Sequence, residues 1–165
     1  MYQIDISNRQ ESLSFDPAAL QHAVAVVLEN EGVRQAEISL AVVSDREIHE
    51  LNRRFLDHDE PTDVLSFPLQ PGPDRLEGEI VVSAETAQDR CQEFGWSAVQ
   101  ELTLYVLHGV LHLVGYGDKS ADEQSVMRER EQFYLSKLGL LAAEANAESS
   151  SNSSSSPDVE EGSDS

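Results

Sequence analysis

The apolar residues of this chain switch between two spacings, and the switches predict the order of its strands and helices. Residues 2–6 alternate apolar and polar side chains as a strand does, and residues 38–43 predict a second, more buried strand. Between them, Asp16 followed by Pro17 predicts a helix start, with the acid as cap and the proline in the first turn. The buried face of this helix is expected to carry Leu20, Val24, Val27 and Leu28.

Serine residues mark the starts of the later helices. A serine followed three positions later by Glu or Gln predicts a capping box, in which each side chain bonds the other residue's backbone N–H. Three such pairs occur, namely Ser44 with Glu47, Ser97 with Gln100, and Ser120 with Glu123. One more helix is expected to begin at Ser83. Glycine is common just after a helix, and it predicts ends near Gly95, Gly115 and Gly139.

Two short apolar runs in the middle of the chain, residues 64–67 and 80–82, predict two further strands. A loop rich in proline and glycine, from Pro68 to Gly78, is expected to separate them. The elements together predict an α+β domain with about four strands and five helices. The helix between Ser97 and Gly115 has a broad apolar stripe, so we expect it to form the buried centre of the fold.

The C-terminal segment differs in composition from the rest of the chain. Residues 142–165 are mostly Ala, Asn, Ser and acids with almost nothing to bury, so we predict a disordered acidic, Ser-rich tail. Residues 1–141 are expected to form one domain, since domains typically hold about 100–150 residues. The start of the chain has no signal-peptide features. Its apolar runs are also much shorter than the roughly 18 residues needed to span a bilayer. We therefore expect a soluble, cytoplasmic protein.

The charge of the chain restricts the partners it can have. The net charge is −20, from 11 Lys and Arg against 31 Asp and Glu, which argues against a densely phosphorylated partner. Six of the acids lie in the tail, but the body is still acidic. Any nucleic-acid site must therefore be a local basic patch. Arg53 and Arg54 are the densest basic pair and the candidates for phosphate contact, although a solvated helix face explains them nearly as well.

The segment from His108 to Asp118 carries the candidate chemistry. His108 and His112 are four residues apart, so on a helix they lie one turn apart on the same face and can reach one cation. Cys91 is the only cysteine, so a metal must be bound by imidazole and carboxylate groups. A pair of hydrogen-bonded core histidines is the structural alternative.

Two glycines after this helix predict a turn that returns the chain toward the histidines. We expect Gly115 and Gly117 to take left-handed conformations and to bring Asp118 beside the imidazoles. Two nitrogens and one carboxylate oxygen leave a tetrahedral position open for water, as in catalytic zinc sites. We therefore predict a metal site of His108, His112 and Asp118.

The residue after the first histidine distinguishes two kinds of hydrolase. Zinc peptidases with a His-Glu-x-x-His motif use the glutamate as general base, but this chain has Gly109. Peptide hydrolysis by that mechanism lacks its base. Phosphoester hydrolysis by a metal-activated water stays open, and no general base can be identified from the sequence.

The chain contains three linked motifs, Pro61-Thr-Asp-Val-Leu-Ser-Phe-Pro68, Gly78-Glu-Ile80 and His108-Gly-Val-Leu-His112-Leu-Val-Gly-Tyr116. Together they resemble the motifs of the YbeY-type endoribonucleases, bacterial metalloproteins of ribosomal RNA maturation. The resemblance implies a small mixed sheet, one zinc ion per chain and single-strand-specific endoribonuclease activity. It also implies maturation of the 3′ end of 16S rRNA, ribosome quality control, and the small ribosomal subunit as partner. We also expect no small-molecule cofactor and no association with a membrane.

The chain departs from the family pattern at two positions. The family usually has Asp-His after Gly-Tyr, whereas Asp118 fills the third ligand position here. A carboxylate is an accepted zinc ligand. We expect its negative charge to make the bound metal a weaker Lewis acid and to allow other divalent ions to bind at the site. Leu56 stands where many members have an arginine near the active cleft, so Arg53 or Arg54 would have to supply that phosphate contact.

Three functions stay open at this point. A metal-dependent endoribonuclease is the leading one. The ligand spacing also fits a metallopeptidase, which Gly109 opposes. A ribosome-assembly factor that binds zinc structurally and cleaves nothing is favoured by Leu56 and by the acidic charge.

Overall fold

The computed structural model describes residues 1–56, 63–69 and 75–140. The strands are β1 (Tyr2–Asn8), β2 (Gln35–Val43), β3 (Val64–Pro68) and β4 (Arg75–Ser83). The helices are α1 (Pro17–Asn30), α2 (Asp45–Leu56), α3 (Ala84–Phe94), α4 (Ala98–Val114) and α5 (Ala121–Lys137). The predicted tail of residues 142–165 lies outside the described residues, so its disorder stays a prediction.

The four strands form one mixed sheet in the order β1-β2-β4-β3. β1, β2 and β4 run parallel, while β3 pairs with β4 in antiparallel register, Val64 opposite Val82 and Pro68 opposite Gly78. Parallel neighbours need long crossovers, and α1 supplies the crossover from β1 to β2. The expected α+β fold, with a small four-stranded mixed sheet and five helices, is confirmed.

Strand β4 begins earlier than the sequence predicted. The Pro/Gly loop was expected to reach Gly78, but the strand already starts at Arg75, whose guanidinium bonds Glu37 and Glu77 at 2.7 and 2.6 Å. Charged residues along an exposed part of a strand resemble a loop in sequence. Gly78 belongs to the strand, and it packs closely on α4, because a Cβ there would lie 2.7 Å from Leu113 Cδ1.

Helix α4 is the buried centre of the fold, as its apolar stripe predicted. Its buried side chains pack on the sheet face formed by Ile38, Leu40, Val42, Ile80 and Val82. Helix α1 packs beside it with Leu20, Val24, Val27 and Leu28, the face that the sequence predicted. Burial of such side chains is the main favourable term in folding, and it fixes the position of α4 against the sheet.

Two of the three predicted capping boxes are complete. Ser97 with Gln100 and Ser120 with Glu123 make both reciprocal bonds. At Ser44 only half of the box forms, because the Glu47 carboxylate instead accepts a hydrogen bond from Arg9 at 2.7 Å. Within the described ranges, no helix is long and apolar enough to cross a membrane.

Candidate metal centre

Two histidines in the C-terminal half of α4 face the same space as a carboxylate from the following turn. His108 and His112 lie one turn apart, with their Nε2 atoms 3.1 Å from each other. These two atoms lie 3.4 and 3.2 Å from Asp118 Oδ2. All three side chains are partly exposed, so solvent reaches them. We call these three residues the metal cluster.

The donor atoms of the metal cluster are spaced as a tetrahedral ion requires. Zinc bonds of about 2.0–2.1 Å at tetrahedral angles hold neighbouring ligand atoms about 3.3 Å apart. The measured separations are 3.1, 3.2 and 3.4 Å. In the part of the chain that the structure describes, this is the only group of three potential ligands within 4.8 Å of one another. The metal cluster can therefore hold a metal ion and leave a tetrahedral position open.

The turn after α4 positions Asp118, although one of its two glycines differs from the prediction. Gly115 ends the helix with a φ of 120°, a conformation that residues with side chains disfavour. Gly117 does not take the left-handed conformation expected of it. It is needed for space, because a Cβ there would lie 2.7 Å from the Glu123 carboxylate, which accepts the Lys119 N–H.

A hydrogen-bond network anchors this turn to the rest of the domain. The Tyr116 hydroxyl donates to Glu31 at the end of α1 at 2.9 Å. Arg130 and Tyr134 of α5 donate to the other oxygen of the same carboxylate. Burial alone raises the pKa of Glu31, but the hydrogen bonds from Tyr134, Arg130 and Tyr116 outweigh it and hold the pKa below its ordinary value. An ionised Glu31 therefore ties α1, α5 and the turn together.

Glu131 of α5 holds the outer nitrogen of one histidine, a role that the sequence analysis missed. Its carboxylate lies 2.6 Å from His108 Nδ1 and is only 12% exposed. An ionised carboxylate only accepts hydrogen bonds, so Nδ1 must donate, and Nε2 faces the metal cluster. Metal-binding histidines almost always donate their second N–H in this way, which fixes the ring orientation. No local spacing links residues 108 and 131, so the sequence offered no signal.

The charges around His108 favour a positive species at the cluster. Burial lowers the pKa of the imidazole, but the hydrogen bond and charge of Glu131, with the charges of Asp63 and Asp118, outweigh this effect. The pKa of His108 is raised as a result. The same negative surroundings that favour imidazolium favour a bound cation.

A cavity of about 310 Å³ opens beside the metal cluster, between α4 and α5. His108 and Asp118 form part of its wall. Its other charged lining residues are Asp63, Arg90, Glu101, Arg128 and Glu131, and its remaining lining residues are Val64, Leu104, Tyr105, Gln124 and Met127. We call this cavity the α4–α5 pocket.

The two arginines predicted as phosphate contacts lie elsewhere. Arg53 and Arg54 are in the last turn of α2, exposed, and pair with Glu50 at 2.9 and 3.5 Å. They do not line the α4–α5 pocket, whose arginines are Arg90 and Arg128. Their contact with RNA stays a prediction. The side chain of Leu56 lies outside the described residues.

Gly109 has a packing reason to lack a side chain. A Cβ at this position would lie 2.7 Å from Ile80 Cγ2 and 3.2 Å from Ser66 Oγ. The Ser66 hydroxyl also donates to the Gly109 carbonyl at 3.2 Å. The residue after His108 therefore packs directly on β3 and β4, where there is no room for the glutamate of a His-Glu-x-x-His peptidase.

Comparisons with known proteins identify the family of this chain. Residues 5–139 match the family model described as Endoribonuclease YbeY. A relative named endoribonuclease YbeY from Carboxydothermus hydrogenoformans is 39% identical over 82% of this chain and 97% of its own. Another of that name from Salinibacter ruber is 38% identical over 80% of this chain and 89% of its own.

A solved structure has a similar fold. The solution structure of TM1509 from Thermotoga maritima superposes with a TM-score of 0.59 and 28% identity, covering 93% of this chain and 100% of that protein. The family match extends from β1 to the end of α5 and includes the whole metal cluster. The chain therefore belongs to the YbeY endoribonuclease family.

Proposed function

We propose that this protein is a metal-dependent endoribonuclease that cleaves single-stranded RNA. The observation that carries the proposal is the triangle of donor atoms from His108, His112 and Asp118, at the edge of the α4–α5 pocket. The relatives at 38–39% identity are named as endoribonucleases, which supports the same activity here. An open position on a three-ligand site favours a catalytic metal over a closed structural one.

We assign His108, His112 and Asp118 as the ligands of one zinc ion. When bound, such an ion lowers the pKa of water to about 7 and offsets negative charge that develops on phosphate. Glu131 keeps the His108 ring oriented by accepting its Nδ1–H. Gln124 donates to the Asp118 carbonyl at 2.9 Å and holds the third ligand's backbone.

The acidic charge of the chain requires a local explanation for RNA binding. Arg128 is exposed at the rim of the α4–α5 pocket, and among the described residues no carboxylate pairs with it. Arg90 is also on the pocket wall, paired with Asp63 at 3.3 Å. We assign Arg128 as a phosphate contact, in addition to the candidates Arg53 and Arg54. A bound divalent cation neutralises two further negative charges at the site.

The proposed cellular role is maturation of the 3′ end of 16S ribosomal RNA and ribosome quality control, in the cytoplasm. This role is supported by the membership of this chain in the YbeY family and by the three sequence motifs. The small ribosomal subunit is then the partner. The test is whether a precursor with an extended 3′ end is shortened by the purified protein at the mature terminus. Cleavage that is no more frequent there than elsewhere would reject this role and leave general endoribonuclease activity standing.

The activity itself is tested with an unstructured RNA substrate. We expect the zinc-loaded protein to cleave it, a chelator to stop cleavage, and His112→Ala to lower the rate at least about 100-fold, since metal supplies the chemistry. His22→Ala removes an exposed histidine from α1 and is the matched control, expected to cleave as the wild type does. Cleavage that survives both the chelator and His112→Ala would reject the proposal.

A metallopeptidase is less well supported than a nuclease. The close contact between Gly109 and Ile80 means that the missing base cannot be restored at that position without moving the helix. The peptidase function would become a candidate again only if the protein cleaved a denatured protein substrate in a metal-dependent reaction.

A further inference from the structure

The α4–α5 pocket contains a buried hydroxyl whose hydrogen bonding is incomplete within the described structure. Tyr105 is 3% exposed, and its hydroxyl faces the Glu101 carboxylate without meeting it, or any other group, in full hydrogen-bond geometry. Burial, and after it the interaction with the Glu101 carboxylate, raises the pKa of this hydroxyl, so it keeps its proton. Buried hydroxyls are normally paired, because losing water without gaining a partner is unfavourable. Since Tyr105 lines a cavity open to a ligand, a bound ligand would supply the missing partner.

The pocket is continuous with the metal cluster. Glu101, Tyr105, His108 and His112 follow each other at spacings of four, three and four residues, which places them on one face of α4. Tyr105 therefore lies one turn before the first metal ligand. A substrate whose phosphodiester is at the metal cluster would place an adjacent nucleotide in reach of the pocket.

The lining of the pocket combines apolar side chains with polar groups. Val64, Leu104 and Met127 supply aliphatic surface. The polar groups include the Tyr105 hydroxyl and the carboxylate of Glu101, which is 2% exposed and accepts the Trp96 Nε1–H at 2.8 Å. A nucleobase has the same division, with flat apolar faces and a polar edge, and proteins that read single-stranded RNA recognise both.

The charges of the pocket argue against two other ligands. Four carboxylates line it, those of Asp63, Glu101, Asp118 and Glu131, against the two guanidinium groups of Arg90 and Arg128. This excess of negative charge opposes a phosphate inside the pocket. A second metal ion is also disfavoured, because the described residues offer no second group of three ligands within 4.8 Å. A neutral base with hydrogen-bond donors satisfies both constraints.

We propose that the α4–α5 pocket binds the nucleobase next to the scissile phosphodiester and selects a base that carries an amino group. This inference rests on the proposed function. The Glu101 carboxylate accepts from the exocyclic amine of adenine, cytosine or guanine, while the Tyr105 hydroxyl bonds the neighbouring atom of the same edge. Uracil presents carbonyl oxygens on both sides of its N3–H, and these repel a carboxylate. The pocket therefore disfavours uracil.

The test uses Tyr105→Phe, which removes only the hydroxyl. Binding is measured by fluorescence anisotropy with zinc-loaded protein and single-stranded deoxyhexanucleotides, which an endoribonuclease does not cleave. One hexamer contains only uracil, and the others carry a single central adenine, cytosine or guanine. We expect the wild type to bind the amino-bearing hexamers about fivefold more tightly, and Tyr105→Phe to lose most of that preference, as for one hydrogen bond. The thermal stability of the variant should be equal or higher, because an unpaired buried hydroxyl has been removed.

Tyr2→Phe is the matched control, since the Tyr2 hydroxyl donates to Val33 at the other end of the sheet and does not line the pocket. This variant should keep the full preference. Equal affinity of the wild type for all hexamers, or an unchanged preference in Tyr105→Phe, would overturn the inference. If the preference is found and depends on Tyr105 but RNA is not cleaved, the proposed nuclease function fails and the base pocket stands.

Discussion

His108 and Glu131 join helices α4 and α5 through a hydrogen bond of 2.6 Å between the imidazole Nδ1 and the carboxylate. The bond fixes the ring so that Nε2 lies 3.1 Å from its counterpart in His112. Because Glu131 is largely buried, water cannot readily replace it as the acceptor. The spacing of the metal cluster thus depends on a residue outside the cluster.

Replacing Glu131 should therefore weaken metal binding without removing a ligand. For Glu131→Gln we expect the zinc dissociation constant to rise by about 10- to 100-fold, the usual effect of losing such a partner. Competition with a chromophoric chelator measures this directly. Glu129→Gln, an exposed change on the same helix, should leave the affinity unchanged. An equal affinity in Glu131→Gln and the wild type would show that the hydrogen bond does not position His108.

The contact of Gly109 with the sheet gives a prediction about stability. Alanine normally stabilises a helix relative to glycine by about 1 kcal/mol. Here the added Cβ would meet Ile80 Cγ2 at 2.7 Å, so Gly109→Ala should lower the free energy of unfolding by about 1–3 kcal/mol through overpacking. Urea denaturation provides the measurement, with Ser125→Ala on the exposed face of α5 as control. A stabilised Gly109→Ala variant would contradict the close packing of α4 on β4.

The network at Glu31 predicts how stability depends on pH. The pKa of Glu31 is lower in the folded protein than its ordinary value of 4.5, so its contribution is present above that value and is lost as the pH falls through the lower, folded pKa. At pH 7, Glu31→Gln should be less stable by about 2 kcal/mol, because charge-assisted bonds from Arg130 and two tyrosines are weakened.

Below pH 4.5 the difference between Glu31→Gln and the wild type should shrink, because the wild type loses the same charge. Thermal unfolding at a series of pH values measures both effects. Glu29→Gln, at an exposed position two residues earlier, should follow the wild-type curve. A difference that stays constant down to pH 2 would mean that the carboxylate of Glu31 is not the titrating group.

The arginines near the site predict a salt-dependent contribution to RNA binding. Arg128→Ala should weaken binding of single-stranded RNA about threefold to tenfold and make the slope of log K against log salt shallower by about one. Arg34→Ala, exposed and outside the α4–α5 pocket, serves as the control. The double variant Arg53→Ala with Arg54→Ala tests the pair suggested by the sequence. If only the double variant alters the slope, the phosphate path runs along α2 and not along the pocket rim.

The parts of this protein that the sequence predicts are those with local causes. The spacing of His108 and His112 on one helix, the glycine end at Gly115 and the caps at Ser97 and Ser120 all depend on residues within about one turn of each other. The order of strands and helices also follows from local periodicity. Neighbouring residues alone are therefore enough to predict the histidine pair and the turn that follows it.

The missed parts depend on contacts between distant segments. Glu131 reaches His108 only because α5 packs on α4, and Tyr105 has the sequence pattern of an ordinary core residue although it lines the α4–α5 pocket. The start of β4 at Arg75 was not predicted, because its charged residues resemble a loop in sequence. In the structure Arg75 pairs with Glu37 on β2. Gly117 was expected to allow a left-handed backbone conformation. It is instead required because a side chain there would clash with Glu123. Such contacts are set by tertiary packing, which periodicity does not encode.

The most direct test of the metal centre is elemental analysis of the purified wild type beside Asp118→Ala. The donor spacing of 3.1–3.4 Å predicts one zinc ion per chain in the wild type and loss of stoichiometric metal in the variant. Asp122→Ala, an exposed change four residues later, should keep the metal. An unchanged metal content in Asp118→Ala would contradict the ligand set of His108, His112 and Asp118.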